Sequence, residues 1–275
     1  MGYRFAVTDF TNDHMFTRLS AAETRLAAVV SQPKRIALGC IAALTALGWA
    51  AVGLMSVGSP TGWQMLCEPS ISVGADALAV TAPMWMAMTL AMMLPTAGPM
   101  ILTYAEIADT AAHKGELVVS PLVLVGGYVS VWLGFAFLAA LLQFGLARAG
   151  FIDGGSVSRL AGGAVFVGAG LYQFSALKQS CLTLCQRPFP FFFANWTTEP
   201  SGVLRLGLRQ GMLCIGCCWA MMLVMFAVGA MNVVWMAALG IVMTIEKLST
   251  TARFSEAVGF AFVVAGFGMI VWSVM

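Results

Sequence analysis

Five of the chain's seven cysteines fall into two groups. Cys181 and Cys185 form the run CLTLC. Cys214, Cys217 and Cys218 lie within GMLCIGCCWAMMLVM. On a helix, residues four apart share a face, so Cys181 stands over Cys185, and Cys214 over Cys218. Met222 and Met225 extend that second stripe, and Cys217, Met221 and Met225 form another beside it. Thiolate and thioether sulfurs are soft ligands that select Cu(I), or Zn where thiolates predominate. Two cysteine groups arriving from different helices supply the ligands of a tetrahedral site. The competing readings are thiol redox, with Lys178 and Arg187 as neighbouring cations, and plain packing of small and flexible side chains.

A second sulfur-rich stretch, PMWMAMTLAMMLPTAGPM, contributes many of the chain's 19 methionines. Met84, Met88 and Met92 recur at i, i+4 and i+8 along one face, with Met86 and Met93 on another. Met88 and Met92 are therefore candidate ligands together with Met221, Met222 and Met225. Pro95 and Pro99 remove backbone donors and are expected to kink or end the helix that carries them.

The elements that must hold these residues are apolar. Of the 275 residues, 60% are hydrophobic and only 9% charged, and the mean hydropathy is +0.89. A soluble domain carries about a quarter charged residues. Apolar runs long enough to cross a bilayer recur along the chain. The expectation is an all-α, polytopic transmembrane helix bundle of about seven spans: 36–57, 82–104, 119–146, 160–177, 211–229, 233–245 and 257–274. Gly229 and Asn232 favour a turn before the short sixth span over one bent helix. Residues 1–35, of mixed charge, read as a cytoplasmic or interfacial segment with a short amphipathic helix near Phe16–Val30 rather than a signal peptide. Residues 36–275 read as one transmembrane domain.

Twelve of the 14 Lys and Arg residues fall on one side of that arrangement, and only Arg148 and Arg159 on the other. By the positive-inside rule the N-terminus is inside and the C-terminus outside, in the inner (cytoplasmic) membrane. Both cysteine groups then lie at the reducing cytoplasmic face, which disfavours structural disulfides. Glu246 and Lys247 read as a solvated interfacial pair; the alternatives are that Glu246 pairs with Arg209 or Lys178, or completes a metal's outer shell. Gln143, Tyr172 and Gln173 are expected to make helix–helix hydrogen bonds. His14 and His113 stand isolated, and no role is assigned to them. No phosphate loop, zinc-protease helix or nucleophile elbow occurs, so a catalytic role is not expected.

The blocks AMMLPTAGPM, GAGLYQFSALKQSCLTLCQRPFPFF and GLRQGMLCIGCCWAMMLVMFAVGAMNVVWMAALGIVMTIEKL resemble those of a bacterial and archaeal family of unknown function. Its members are described as predicted metal-binding integral membrane proteins, and the resemblance runs from about Met84 to Leu248. It implies a helical membrane protein with a metal site at Cys181, Cys185, Cys214, Cys217 and Cys218. Lys178, Pro188 and Glu246-Lys247 frame the motif. One position departs: where the family commonly carries a histidine before the glycine of the cysteine block, this chain has Gln210. The expected function is soft-metal binding, copper before zinc, for metal handling or delivery. Expected partners are the lipid bilayer and a partner membrane protein or metallochaperone, with no nucleic acid. A non-catalytic accessory subunit of a larger membrane complex is the alternative, and a membrane thiol oxidoreductase the third reading.

Overall fold

The computed structural model describes residues 33–57, 77–153, 156–229, 232–249 and 251–275. The N-terminal segment, its amphipathic stretch and His14 lie outside the described residues. Among those described there are nine helices: α1 (Pro33–Val57), α2 (Ala77–His113), α3 (Pro121–Arg148), α4 (Arg159–Gln173), α5 (Ala176–Gln186), α6 (Pro188–Ala194), α7 (Pro200–Val228), α8 (Val233–Leu248) and α9 (Ala252–Val274). A minimal antiparallel hairpin, β1 (Ile152–Asp153) with β2 (Ser156–Val157), links α3 to α4. The all-α class is as the composition requires.

Five helices are long and apolar enough to cross a membrane: α1, α2, α3, α7 and α9. A sixth candidate is the α4–α5 pair, which bends by 64° at its break. α8, at 16 residues, is shorter than the rest. All seven expected segments are thus helical, yet two of them are unlike simple spans. The expected fourth span ends early, because the chain leaves the helix at Phe174 and Ser175 restarts it. The Ser175 side chain accepts from the Lys178 N–H, capping α5 in its new direction. The expected fifth span starts earlier than its apolar run, at Pro200, where proline's fixed φ suits the first helical turn. α7 and α8 are separate helices, as the turn residues implied. Gly229 takes φ +94°, open to glycine at little cost, and the Asn232 side chain caps α8 by accepting from Trp235 N–H.

α2 corrects one expectation. It runs unbroken through Pro83, Pro95 and Pro99 to His113. Threonine hydroxyls bond back to the same helix, Thr96 to the Met93 carbonyl at 2.8 Å and Thr103 to the Pro99 carbonyl at 2.8 Å. Such i−3 and i−4 bonds give the polar groups of an apolar helix local partners.

The core gathers on α7, which packs against α3, α4, α5 and α8. α3 and α7 meet backbone to backbone: a methyl group on Gly127 would lie 2.5 Å from the Leu204 carbonyl oxygen. α4 and α9 meet likewise, since a methyl on Gly170 would lie 2.7 Å from the Gly259 oxygen and one on Gly163 2.8 Å from the Gly266 oxygen. Small residues on apolar helices permit this close approach and its dispersion gain. Polar side chains then tie helices together, as their in-span positions implied. Trp85 Nε1 donates to Gln143 Oε1 at 2.5 Å, Ser255 to Gln173 Oε1 at 3.1 Å, and Tyr172 to the Gly216 carbonyl at 2.5 Å.

Candidate metal centre

Cys214, Cys217 and Cys218 sit in the middle of α7, all buried, and their sulfurs lie within 4.8 Å of one another. The i, i+3, i+4 spacing places them on one face. Cys217 Sγ lies 3.3 Å from Cys218 Sγ and donates to the Cys214 carbonyl at 3.2 Å.

The CLTLC run is helical and α5 packs on α7, so the two cysteine groups meet. Cys185 faces Cys217 within interaction range. Cys181 lies against Gly216, where a methyl group would stand 2.6 Å from its sulfur. A larger residue at position 216 would push α5 away from α7. Cys185 and Cys214 also border a cavity of about 20 Å³, together with Tyr128, Gln210, Thr96 and Lys247. That volume is on the scale of a single water or a monatomic ion.

Lys247 stands at the centre of the polar contacts. Its Nζ donates to Cys214 Sγ at 2.9 Å and to Thr96 Oγ1 at 2.8 Å. The Tyr128 hydroxyl lies 3.1 Å from Cys214 Sγ and 3.1 Å from the Met93 carbonyl oxygen. Of the cations beside the thiols, the sequence points to Lys178 and Arg187; the structure puts Lys247 there instead. Arg187 is exposed. Lys178 bonds Glu246 Oε2 at 2.8 Å, and both side chains are buried. The Glu246-Lys247 dipeptide is therefore not a solvated pair: one residue anchors α5 to α8, and the other reaches α7. Helical neighbours point about 100° apart, which lets one short motif serve two helices. Gln186 reinforces the first link, donating to the Glu246 carbonyl at 2.9 Å and the Ser249 carbonyl at 2.6 Å.

Gln210, one turn before Cys214, is buried against the cavity, and its amide nitrogen makes no hydrogen bond. An imidazole at this position would face the same space. Met221 and Met222 lie one turn beyond Cys217 and Cys218 on α7, and Met225 one turn further; Met88 and Met92 are on α2. All five are buried, at most 2% exposed. Met92 packs toward Gly240 of α8. His113 is exposed, 3.7 Å from Asp109 and far in sequence from the cluster.

The donor set fits a soft ion. With metal–sulfur bonds of about 2.3 Å, three sulfurs around one centre stand roughly 4 Å apart, within the spread of the α7 trio. Cys185 of α5 stands next to Cys217 but outside the group of three sulfurs that lie within 4.8 Å of one another. Two thiolates around a monovalent ion carry one net negative charge, which the Lys247 ammonium offsets in a buried setting where an uncompensated charge is costly.

No curated protein and no solved structure matches the chain. A family model described as the copper chaperone PpoB2 matches residues 82–269, more than half of the chain, from within α2 to within α9. On that match, the chain belongs to the PpoB2 copper chaperone family.

Proposed function

We propose that this protein is a multi-pass protein of the cytoplasmic membrane that binds Cu(I) as cargo through Cys214, Cys217 and Cys218 and hands it to a partner protein. The observation that carries the proposal is the convergence of three buried thiols within 4.8 Å, faced by Cys185 and flanked by the Lys247 ammonium 2.9 Å from Cys214. Cu(I) is favoured over Zn(II) on three grounds. The surrounding core is rich in thioethers, which are ligands for Cu(I) rather than Zn. A single helix supplies three sulfurs, enough for a low-coordinate d¹⁰ ion, whereas structural zinc takes four. The matched family is one of copper chaperones.

The protein is a carrier and not an enzyme in this reading. Its chemistry is ligand exchange, in which a partner's sulfur replaces one of these before the ion leaves. The half-buried Cys181 and Cys185, unlike the buried α7 trio, offer an approach for that exchange. The Lys and Arg bias of the sequence supports a reading in which this approach opens toward the cytoplasmic face.

Anaerobic titration with Cu(I) against a chromogenic chelator tests the reading, with Zn(II) titrated in parallel. The expected result is one Cu(I) per chain, binding tighter than Zn(II), abolished in Cys214→Ser/Cys217→Ser/Cys218→Ser. Equal affinity of the triple variant and the native protein would refute it.

A further inference from the structure

We infer that the protein moves Cu(I) along the bundle axis, through three tiers of buried methionines that lead from the thiol cluster toward the opposite end. The inference rests on Cu(I) being the cargo of the cluster. It adds translocation to binding.

The tiers follow from the register of α2, α7 and α8. At one end, Lys247 of α8 touches both Thr96 of α2 and Cys214 of α7, which fixes these three residues at one level. Towards the other end, Trp85 of α2 stacks on Phe226 of α7, with ring centroids 5.1 Å apart. A helix rises about 1.5 Å per residue, so both helices climb roughly 17 Å between these anchors. Counting from the first level, Met92 and Met93 of α2 and Met243 of α8 stand at about 5–6 Å, at the height of Cys217 and Cys218. Met88 of α2 with Met221 and Met222 of α7 follow at about 11–12 Å. Met84 of α2, Met225 of α7 and Met236 of α8 complete a third level at about 17–18 Å. Each tier draws its sulfurs from two or three helices. None of these nine methionines is more than 5% exposed. Below the first level, Met100 lines the cavity beside Cys185 and Cys214.

A monovalent soft cation cannot enter an apolar core without ligands, because its desolvation is prohibitive. Thioethers offer neutral soft sulfurs that hold Cu(I) weakly, and long unbranched methionine side chains swing between positions. Steps of about 6 Å, close to one helical turn and within the reach of a methionine side chain, permit transfer from tier to tier by ligand exchange. Conduction demands binding strong enough to enter and weak enough to leave. A thiolate site midway along α7 and neutral thioethers beyond it meet that demand. Copper stays Cu(I) throughout, and no electron is exchanged. Leucines of equal volume would fill a core as well, and a purely structural role therefore predicts indifference to Met→Leu.

The test is Cu(I) influx into proteoliposomes of the purified chain, held under reductant with a Cu(I)-responsive dye inside. Binding stoichiometry is measured on the same samples. The middle tier is removed in Met88→Leu/Met221→Leu/Met222→Leu, and the far tier in Met84→Leu/Met225→Leu/Met236→Leu. Expected is influx by the native protein, lowered about tenfold or more by either set of volume-conserving changes, with the loss of influx exceeding any loss of Cu(I) binding on the same samples. The Cys214→Ser/Cys217→Ser/Cys218→Ser variant loses both. Native protein that binds Cu(I) without influx would overturn translocation, and Leu variants that conduct normally would overturn the methionine path; either leaves the binding proposal standing. Native protein that does neither overturns both. If one Leu set fails to fold, the other decides.

Discussion

Lys247 shows how much a single side chain sets the character of the thiol cluster. Its ammonium bridges Cys214 and Thr96 and so joins three helices at one point. Replacing it in Lys247→Met removes the ammonium that, in the proposed site, offsets the charge of the thiolate-bound Cu(I). Cu(I) affinity should fall about 10–100-fold, the range for lost partners of metal ligands, as read by chelator competition; unchanged affinity would mean the ammonium is incidental. Gln210 invites the opposite change. Its amide nitrogen is unpartnered and its side chain borders the cavity. Gln210→His should add a nitrogen donor and tighten metal binding about tenfold, or about 1.4 kcal/mol, with the larger gain for Zn(II), in parallel titrations of both ions. The cysteines were legible in the sequence because i, i+3, i+4 spacing defines a face without knowledge of the partner helices. Lys247 was not, because nothing in its local sequence tells which helix a lysine will meet.

At the scale of elements, the Lys178–Glu246 pair fastens α5 to α8 at 2.8 Å and so fixes where Cys185 points. A buried pair is costly to break and close to neutral to replace. Lys178→Met alone should cost about 3–5 kcal/mol, and Lys178→Met/Glu246→Met should recover most of it. Thermal unfolding in detergent micelles reports both, and equal losses in the single and double variants would deny the coupling. The α4–α9 contact offers a packing test. Gly163 and Gly170 of α4 lie against the Gly266 and Gly259 carbonyl oxygens of α9, so Gly170→Leu must separate the two helices. A lowered melting temperature is expected, and an unshifted one would show the contact to be slack. Helix existence was readable from apolar run length, since backbone satisfaction in an apolar environment leaves few other choices. The continuity of α2 through three prolines and the 64° break between α4 and α5 were not. Both depend on how neighbouring helices and side-chain hydroxyls satisfy the backbone, which hydropathy does not encode.

For the whole molecule, the charge asymmetry and the helix order make a topological prediction. Reporter fusions should place the loop at Lys114–Gly115 inside, and both the Phe151 hairpin and the C-terminus at Met275 outside. An internal C-terminus would remove one crossing, with α8 or the bent α4–α5 pair the first to reconsider. α7 packs against α3, α4, α5 and α8, and the Lys178–Glu246 pair ties α5 to α8. The apolar helices and the cysteine cluster thus belong to one helix packing, in which α7 carries the thiols and meets α5 and α8. Whether the cluster holds copper is read most directly from the metal content, by mass spectrometry, of protein purified anaerobically from copper-supplemented cells. About one copper per chain is expected in the native protein, as one thiol cluster allows, and none in Cys214→Ser/Cys217→Ser/Cys218→Ser. A native chain free of copper that also fails to take up added Cu(I), or a triple variant that keeps its copper, would contradict copper binding at the cluster.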